Sequence, residues 1–327
     1  MIEISRSFFI YKTYTMKSVD CRLLPLHKNQ PMKSISLLSI FGILLSCSGK
    51  SQEIPTITTK IKLKEASAIE VTNKSDLGWV IEDSGNKNVV YGLNSKGEIA
   101  HVILVENVKN VDWEDLTSDE NGNLYIGDFG NNDNKRKDLC IYKLDASSLK
   151  DNTANATSKI SFYYPNQKEF PPKKSELFYD SESFFEYKGN FYIFSKNRSK
   201  GFDGTVLVYK VPNKAGNHKA EFLGQFISCG SYQKCAITSA DISPDGKEIV
   251  LLSANKVWVL SDYKGDDFLK GKMEMFELND VTQKEGICFK DSKTLLIVDE
   301  KDKKTGGNLY EIKLSDLKSK ANSSGNP

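Results

Sequence analysis

The sequence Glu114-Asp-Leu-Thr-Ser-Asp-Glu-Asn-Gly-Asn-Leu-Tyr-Ile126 contains an acidic opening, a short apolar segment, a tight turn and a second, strongly apolar segment. Asn121 and Gly122 suit a hairpin turn because both residue types adopt positive φ at little steric cost. A third apolar segment follows at Cys140-Ile141-Tyr142 and a fourth over residues 160–164. Short apolar runs separated by such turns predict a unit of four antiparallel β-strands.

The same order of segments recurs five times between residues 58 and 316, which indicates a repeat architecture. Each unit opens with small or acidic residues before an apolar one, at Ser67-Ala68-Ile69, Glu114-Asp115-Leu116, Glu182-Ser183-Phe184, Ala240-Asp241-Ile242 and Glu285-Gly286-Ile287. Four strands per unit, repeated around a ring, predict an all-β fold, a β-propeller with five blades. Six blades would require one blade without a recognisable opening sequence. A sandwich of two sheets would not explain why the same order of segments recurs along the chain.

The fifth unit runs out of chain before its fourth strand, whereas an unassigned strand over residues 58–63 precedes the first unit. We expect this N-terminal strand to complete the last blade, because closing the ring in this way removes an exposed sheet edge. The propeller is therefore predicted over residues 58–316. The polar segment 317–327 is expected to be unstructured.

A short apolar run that begins after Met32 ends in Leu44-Leu45-Ser46-Cys47. The run is shorter than the roughly 20 residues that a helix needs to cross a bilayer, and it fits the apolar region of an export signal. Its ending resembles the lipobox of bacterial lipoproteins, which implies that Cys47 is acylated, with palmitate as a candidate chain, and holds the protein to a membrane of the cell envelope. The predicted segments are an upstream extension (1–31), a signal peptide (32–46) and a lipidated tether (47–57).

Cysteine usage and overall charge narrow the function classes. Cys229 and Cys235 bracket a five-residue loop, a spacing that allows a disulfide in an oxidising compartment. Lys and Arg number 45 against 43 Asp and Glu, a net charge of +2, which argues against nucleic acid as a partner. The three histidines are widely separated, which leaves little material for a histidine-rich zinc site or a Ser-His-Asp hydrolase.

Several ordered motifs carry a family resemblance, namely Glu82-Asp83-Ser84-Gly85, Asp112-Trp113-Glu114-Asp115, Gly127-Asp128-Phe129-Gly130-Asn131-Asn132 and Tyr179-Asp180-Ser181-Glu182. Together they resemble the exported bacterial propellers of the SdiA-regulated family and, more distantly, phytase-like and esterase-like propellers, over about residues 60–315. Family members more often show Asn-Asp-Ser-Gly and Gly-Asp-Ile-Gly-Asp-Asn, so this chain differs at Glu82, Phe129 and Asn131. The resemblance implies a fold and export, and no particular reaction.

First strands of propeller blades line the central channel, so residues at their starts should converge at one end of it. One acid from each of the five blades is expected to join this ring, namely Glu65, Glu114 or Asp115, Glu182, Asp241 and Glu285. Residues at or after second strands are expected toward the opposite end, namely Asp83, Asp128, Asn131, Asn197 and Asp299. The segment Lys196-Asn197-Arg198 has two interpretations, contact with an anion or a solvated loop, and the solvated loop is favoured.

Five carboxylates gathered without partners would repel one another, so either a cation or basic side chains must compensate them. Calcium (Ca²⁺) is the candidate cation, because carboxylate oxygens with few histidines favour hard cations. Each acid can instead accept backbone N–H bonds from the neighbouring blade and clasp the two blades together. Glu114 and Asp115 are both candidates for that architectural role.

Two functions follow from these expectations. The first is a lipid-anchored propeller that binds a small molecule, a glycan or a protein at its channel face, in a manner that could depend on Ca²⁺. The second is a metal-dependent hydrolase of an ester, lactone or phosphoester, in which Glu182 or Glu285 acts as general base. A lectin-like propeller that binds glycans through loop aromatics is a further alternative.

Overall fold

A computed structural model describes residues 56–323, with side chains described for residues 58–319. The first ten strands are β1 (Thr56–Lys60), β2 (Ala66–Val71), β3 (Gly78–Glu82), β4 (Val89–Leu93), β5 (Ile99–Val105), β6 (Trp113–Ser118), β7 (Leu124–Asp128), β8 (Cys140–Leu144), β9 (Thr153–Ala154) and β10 (Ser158–Tyr163). The others are β11 (Asp180–Tyr187), β12 (Asn190–Lys196), β13 (Thr205–Pro212), β14 (Gly216–Lys219), β15 (Glu221–Ile227), β16 (Ser239–Ile242), β17 (Ile249–Ser253), β18 (Lys256–Ser261), β19 (Lys272–Glu277), β20 (Lys284–Asp291), β21 (Thr294–Asp299) and β22 (Asn308–Lys313). Helices are α1 (Tyr232–Cys235) and α2 (Leu314–Ser323), with single 3₁₀ turns at Ala146–Ser148, Lys174–Glu176 and Phe268–Lys270.

The strands form five sheets that follow one another along the chain. Blades one to five contain, in order, β2–β5; β6–β8 with β10; β11–β13 with β15; β16–β19; and β20–β22 with β1. The inner strands β2, β6, β11, β16 and β20 contact one another in that order, and β20 returns to β2. The predicted five-bladed β-propeller is therefore confirmed, and the sheets described here include no sixth blade.

The ring closes by pairing the two ends of the propeller. Strand β1 pairs antiparallel with β22, from Thr56 opposite Glu311 to Lys60 opposite Asn308. The closure is the predicted one, although the strand covers Thr56–Lys60 rather than 58–63. Ile61 and Leu63, which the sequence assigned to this strand, instead pack into the core between blades five and one.

Two short strands add to blades that are not their own. Strand β9 pairs parallel with β5 on the outer edge of blade one, and β14 pairs parallel with β10 on blade two. Each of them comes from the blade that follows in the chain. These additions cover two outer edges that would otherwise expose unpaired backbone groups, and they tie successive blades together.

Apolar side chains pack between neighbouring blades and form the core of the ring. Trp79 and Trp113 lie between blades one and two, and Tyr125 and Phe191 pack edge to face between blades two and three. Trp258 belongs to the contact of blades three and four. Full burial of each such side chain contributes about 1.5–3 kcal/mol, so these contacts fix each blade against the next.

The C-terminal segment differs from the expectation of an unstructured tail from residue 317 onward. Helix α2 follows β22 directly and extends over Leu314–Ser323. Leu314 and Leu317 are buried in the core between blades four and five. Polar composition obscured this helix in the sequence, because Leu314 and Leu317 are the apolar residues that pack among those of α2 with described side chains.

The predicted extension, signal peptide, acylated Cys47 and most of the tether lie outside the described residues. Between residues 56 and 323, no helix is long and apolar enough to cross a membrane.

Candidate binding site at the bulged end of the inner strands

Four of the five inner strands carry a β-bulge at the same position. The pairing with the second strand shifts at one residue in each case, namely Ser67, Glu114, Glu182 and Glu285. A bulge adds one residue to a strand and re-aims its side chain, and such features are common next to functional sites. Here the bulge brings three glutamates to one end of the channel.

These bulged residues line a single cavity of about 350 Å³, called the bulge cavity below. Its other lining residues are Asp83, Asp112, Asn132, Lys196, Arg198, Tyr232, Gln233, Ala236, Thr238, Ala254, Gln283, Lys284 and Glu300. Six carboxyl groups and three basic groups are therefore gathered in a site where Ala236 and Ala254 are the only apolar residues of the lining.

Residues that follow the second strands lie at this same end, which corrects the expectation for Asp83, Asp128, Asn131, Asn197 and Asp299. Because second strands run antiparallel to first strands, the end of one is beside the start of the other. Ala66 at the start of β2 is paired with Glu82 at the end of β3, so Asp83 reaches the bulge cavity. Lys196 and Glu300 reach it in the same way from blades three and five.

In the segment Lys196-Asn197-Arg198 the first two residues are buried and Arg198 is half-buried, and both basic side chains form ion pairs, so the segment is not a solvated loop. The Lys196 ammonium contacts the Glu182 carboxylate and lies 3.8 Å from that of Glu285. Arg198 donates to Asp180 and Glu182, each at 2.6 Å. Burial alone would lower the pKa of Lys196, but the two glutamates outweigh it and raise the pKa above its ordinary value.

A disulfide loop supplies the wall of the cavity next to blade four. The sulfur atoms of Cys229 and Cys235 are bonded to each other, and the short helix α1 lies within the loop they close. Tyr232 and Gln233 of this loop line the bulge cavity. The Tyr232 hydroxyl accepts a hydrogen bond from Arg198 Nη1 at 2.6 Å, so the loop is joined to the ion pairs of blade three.

Glu114 is the one bulged glutamate without a basic contact. Its side chain is 8% exposed, and within residues 58–319 it makes no hydrogen bond or ion pair. Gly130 gives the carboxyl group its room, since a Cβ at that position would lie 2.0 Å from Glu114 Oε1. Burial, followed by repulsion from Glu182 and Asp112, raises the pKa of Glu114 well above its ordinary value.

Two other carboxyl groups of the cavity also have raised pKa values. Burial is the main cause for Asp83 and repulsion from Glu65 the next, and together they raise its pKa to about 6. Burial and then repulsion from Glu285 raise the pKa of Glu300 to about 8. These shifts show that the basic groups of the cavity do not compensate all of its acids.

Asp115 takes the architectural role that the sequence allowed for it. The carboxylate is fully buried and accepts backbone N–H bonds from Leu116, Phe184 and Ala240, as well as the Ser239 hydroxyl. It therefore bonds to blades two, three and four at once, inside the ring. Both carboxylate oxygens accept hydrogen bonds from protein donors, and Asp115 does not line the bulge cavity. Asp115 therefore holds blades together and is not part of the binding site.

Asp241 lies at the other end of the channel because blade four begins two residues earlier than the sequence pattern indicated. Ser239 Oγ accepts the N–H of Ile287, which matches the bond from Phe184 N–H to Asp115 one interface earlier. Asp241 accepts the N–H of Phe289 and lines, with Glu70, a cavity of about 730 Å³ at that far end.

Three members of the predicted acid ring therefore lie outside the bulge cavity. Asp115 is buried between blades, Asp241 lies at the other end of the channel, and Glu65 is on the surface. Glu65 is exposed, and Asn86 Nδ2 donates to it at 2.7 Å. Glu114, Glu182 and Glu285 alone come together as predicted, and Thr238 takes the equivalent place in blade four.

Calcium does not fit this arrangement. Ca²⁺ takes six to eight oxygen ligands, whereas the Lys196 ammonium already lies against Glu182 and near Glu285. Among the residues with described side chains, no three His, Cys, Asp or Glu groups are placed to hold a metal ion. Of the two forms of compensation that the sequence allowed, basic partners are present for Glu182 and Glu285, whereas Glu114 has none among the described residues.

No protein-family model matches the sequence, and no curated protein matches it. Similar solved structures include a PQQ-bound aldose sugar dehydrogenase from Streptomyces coelicolor, which is 9% identical with a TM-score of 0.48. The calcium-binding protein regucalcin from Agrobacterium tumefaciens is 12% identical with a TM-score of 0.43, and a gluconolactonase from Xanthomonas campestris is 9% identical with a TM-score of 0.40. Each alignment covers 79% of this chain, and 96%, 92% and 88% of the respective structures. Because these similarities are low, the function is inferred from the side chains that line the cavity.

Proposed function

We propose that this propeller is a binding module for a small cationic ligand, one that carries an ammonium or guanidinium group into the bulge cavity. The observation that carries the proposal is Glu114, a buried carboxyl group that lines the cavity without a partner. A cation bound in the cavity would form a charge-assisted hydrogen bond with this carboxyl group.

The balance of charge around Glu114 supports a cationic ligand over a neutral one. Lys196 and Arg198 are engaged by Glu182 and Asp180, and the Lys284 ammonium donates to Asp280 and Thr282. Asp83, Asp112, Glu300 and Glu114 line the cavity and form no ion pair with any residue of the described part of the chain. A volume of about 350 Å³ is at the small end of the range for ligand sites, which favours a small molecule over a peptide.

Metal-dependent hydrolysis is the weaker candidate. Glu182, one of the two proposed general bases, has both carboxylate oxygens engaged, one by Lys196 and the other by Arg198. Glu285 retains only the longer contact with Lys196. Because Lys196 contacts Glu182 and lies near Glu285, both proposed bases are turned toward a basic side chain of the protein, and we favour binding over hydrolysis.

We further infer that the module is anchored to the cell envelope by acylation of Cys47. The support is the lipobox-like Leu44-Leu45-Ser46-Cys47, together with a disulfide of the kind that persists in oxidising compartments. Cys47→Ala should release the protein from the membrane fraction into the soluble fraction. Unchanged fractionation of the variant would contradict the anchor.

Calorimetry with matched probes tests the cationic ligand. Butylamine and butylguanidine should bind the wild-type protein, whereas butanol of the same chain length should not. Glu114→Gln should weaken amine binding about 10- to 100-fold, the loss expected for a charge-assisted hydrogen bond. Glu106→Gln, an exposed acid outside the cavity, is the matched control and should bind as wild type does.

Three results would contradict the proposal. They are the absence of binding by any cationic probe, equal affinity for the amine and the alcohol, and an unchanged affinity in Glu114→Gln. Tight Ca²⁺ binding that is lost in Glu114→Gln would instead restore the metal-dependent alternative.

A further inference from the structure

Charge is distributed unevenly around the bulge cavity. Five of its six carboxyl groups come from the three adjacent blades five, one and two, namely Glu285, Glu300, Asp83, Asp112 and Glu114, and the sixth, Glu182 of blade three, is ion-paired with Lys196 and Arg198. The rest of the wall carries Lys196 and Arg198 from blade three and Tyr232 from the disulfide loop. The cavity therefore has an acidic side and a side that presents hydrogen-bond donors.

On that second side, the hydroxyl group of Tyr232 is an unused hydrogen-bond donor. Its oxygen accepts from Arg198 Nη1, and among the described residues nothing accepts the hydroxyl proton. A tyrosine hydroxyl can donate one hydrogen bond while it accepts another. The proton of Tyr232 is thus available to a ligand in the cavity.

Arg198 also retains unused donors. A guanidinium has five N–H groups, and this one donates through Nε to Asp180, through Nη2 to Glu182 and through Nη1 to Tyr232. Two N–H groups remain without an acceptor in these contacts. A guanidinium beside a free hydroxyl is an arrangement that recognises a carboxylate.

The donors are held in place before any ligand binds. The Cys229–Cys235 disulfide closes the loop that carries Tyr232, and the Phe202 ring packs edge to face on the tyrosine at 5.5 Å. The ion pairs of Arg198 with Asp180 and Glu182 fix the position of its guanidinium group. Preorganised groups lose little entropy when a ligand binds.

We propose that the ligand is a zwitterion, with its ammonium on the acidic side at Glu114 and its carboxylate bound by Tyr232 and Arg198. The inference rests on the proposed cation site and adds a second point of recognition to it. A ligand with only a positive charge would leave the donors of Tyr232 and Arg198 unused. The chemical class is therefore a short amino acid, in which a few bonds separate the two charges.

A series of ω-amino acids from glycine to 6-aminohexanoate tests the inference, each compared by calorimetry with the alkylamine in which a methyl replaces the carboxylate. At the best chain length, the amino acid should bind at least about tenfold tighter than its amine, the gain expected of a hydrogen-bonded charge. Tyr232→Phe should reduce this advantage to less than about threefold and leave the affinity for the amine unchanged. Glu114→Gln should weaken both members of each pair.

Tyr163→Phe is the matched control, because Tyr163 is exposed and does not line the cavity. Tyr232→Phe keeps the ring that packs on Phe202, and its melting temperature shows whether the fold is retained. If amines bind but no amino acid binds tighter than its amine, the zwitterion inference is wrong and the cation site stands. An advantage that survives Tyr232→Phe overturns the inference, and failure of every probe overturns both proposals.

Discussion

The Asp115 carboxylate of blade two accepts a hydrogen bond from the Phe184 N–H of blade three at 3.1 Å. The same oxygen faces the Ala240 N–H of blade four at 3.4 Å, and the other oxygen accepts from Leu116 and Ser239. One buried side chain thereby satisfies backbone donors of two further blades. The clasp joins the inner strands of blades two, three and four to one another.

Asp115→Asn should reduce the free energy of unfolding by about 2–4 kcal/mol, because the amide NH₂ group would face N–H donors and leave them unpaired. Urea unfolding of the purified variant measures the loss. Asp133→Asn, which removes an exposed acid paired with Lys135, is the control and should change stability by less than about 0.5 kcal/mol. Equal stability of the two variants would show that Asp115 is not a clasp.

Removal of the disulfide should affect both stability and binding. The bond joins residues with a sequence separation of 6, and loop-closure entropy gives about 2 kcal/mol for a loop this short. Cys229→Ser with Cys235→Ser should therefore unfold at lower urea concentration and bind amino acids more weakly, since Tyr232 is no longer held. Wild-type affinity in the double variant would mean that the loop takes no part in the site.

Helix α2 should be part of the folded domain. Leu317 is fully buried between blades four and five, and Leu→Ala changes at such positions cost about 2–5 kcal/mol. Leu317→Ala should show a loss in this range by urea unfolding, whereas the exposed Ser319→Ala should not. A neutral Leu317→Ala would support the unstructured tail that the sequence suggested.

The ligand-free protein should lose stability as the pH rises. The pKa of Glu300 is raised from 4.5 to about 8 and that of Asp83 from 3.8 to about 6, mainly by burial. The folded state therefore holds protons that the unfolded state has released, and each carboxyl group lowers the free energy of unfolding as pH rises between its two pKa values. The melting temperature should fall by a few degrees, on the order of 2–4 °C per kcal/mol, between pH 5.5 and 8.5.

Glu300→Gln should flatten this dependence, because the variant keeps the volume of the side chain but cannot titrate. Glu106→Gln serves again as the control and should retain the wild-type slope. A melting temperature that stays constant or rises over the same range would contradict the raised pKa values.

The fold could be predicted because its signals are local. Turns such as Glu120-Asn-Gly-Asn123 and the apolar strands beside them recur along the chain, and their count gives five blades. The residue at which blade four begins could not be predicted from these local signals. Ala240-Asp241-Ile242 imitates the opening of the other units, whereas the real alignment is set by cross-blade bonds such as that between Ser239 and Ile287.

The site was predicted only in part, for reasons of geometry. The bulged Glu114, Glu182 and Glu285 converge as their position at strand starts indicated. Lys196 and Arg198 were missed because a basic tripeptide after a strand resembles a solvated loop in sequence. The antiparallel pairing of first and second strands was the available signal, since it places residue 196 beside the start of β11.

The most direct test of the cation site is a crystal structure of the protein with butylamine or the tightest amino acid of the series. The account predicts the ligand nitrogen within about 2.7–3.2 Å of a Glu114 carboxyl oxygen, inside the cavity formed by the bulged residues. A ligand bound elsewhere on the propeller, or a Glu114 side chain turned away from the ligand nitrogen, would contradict it.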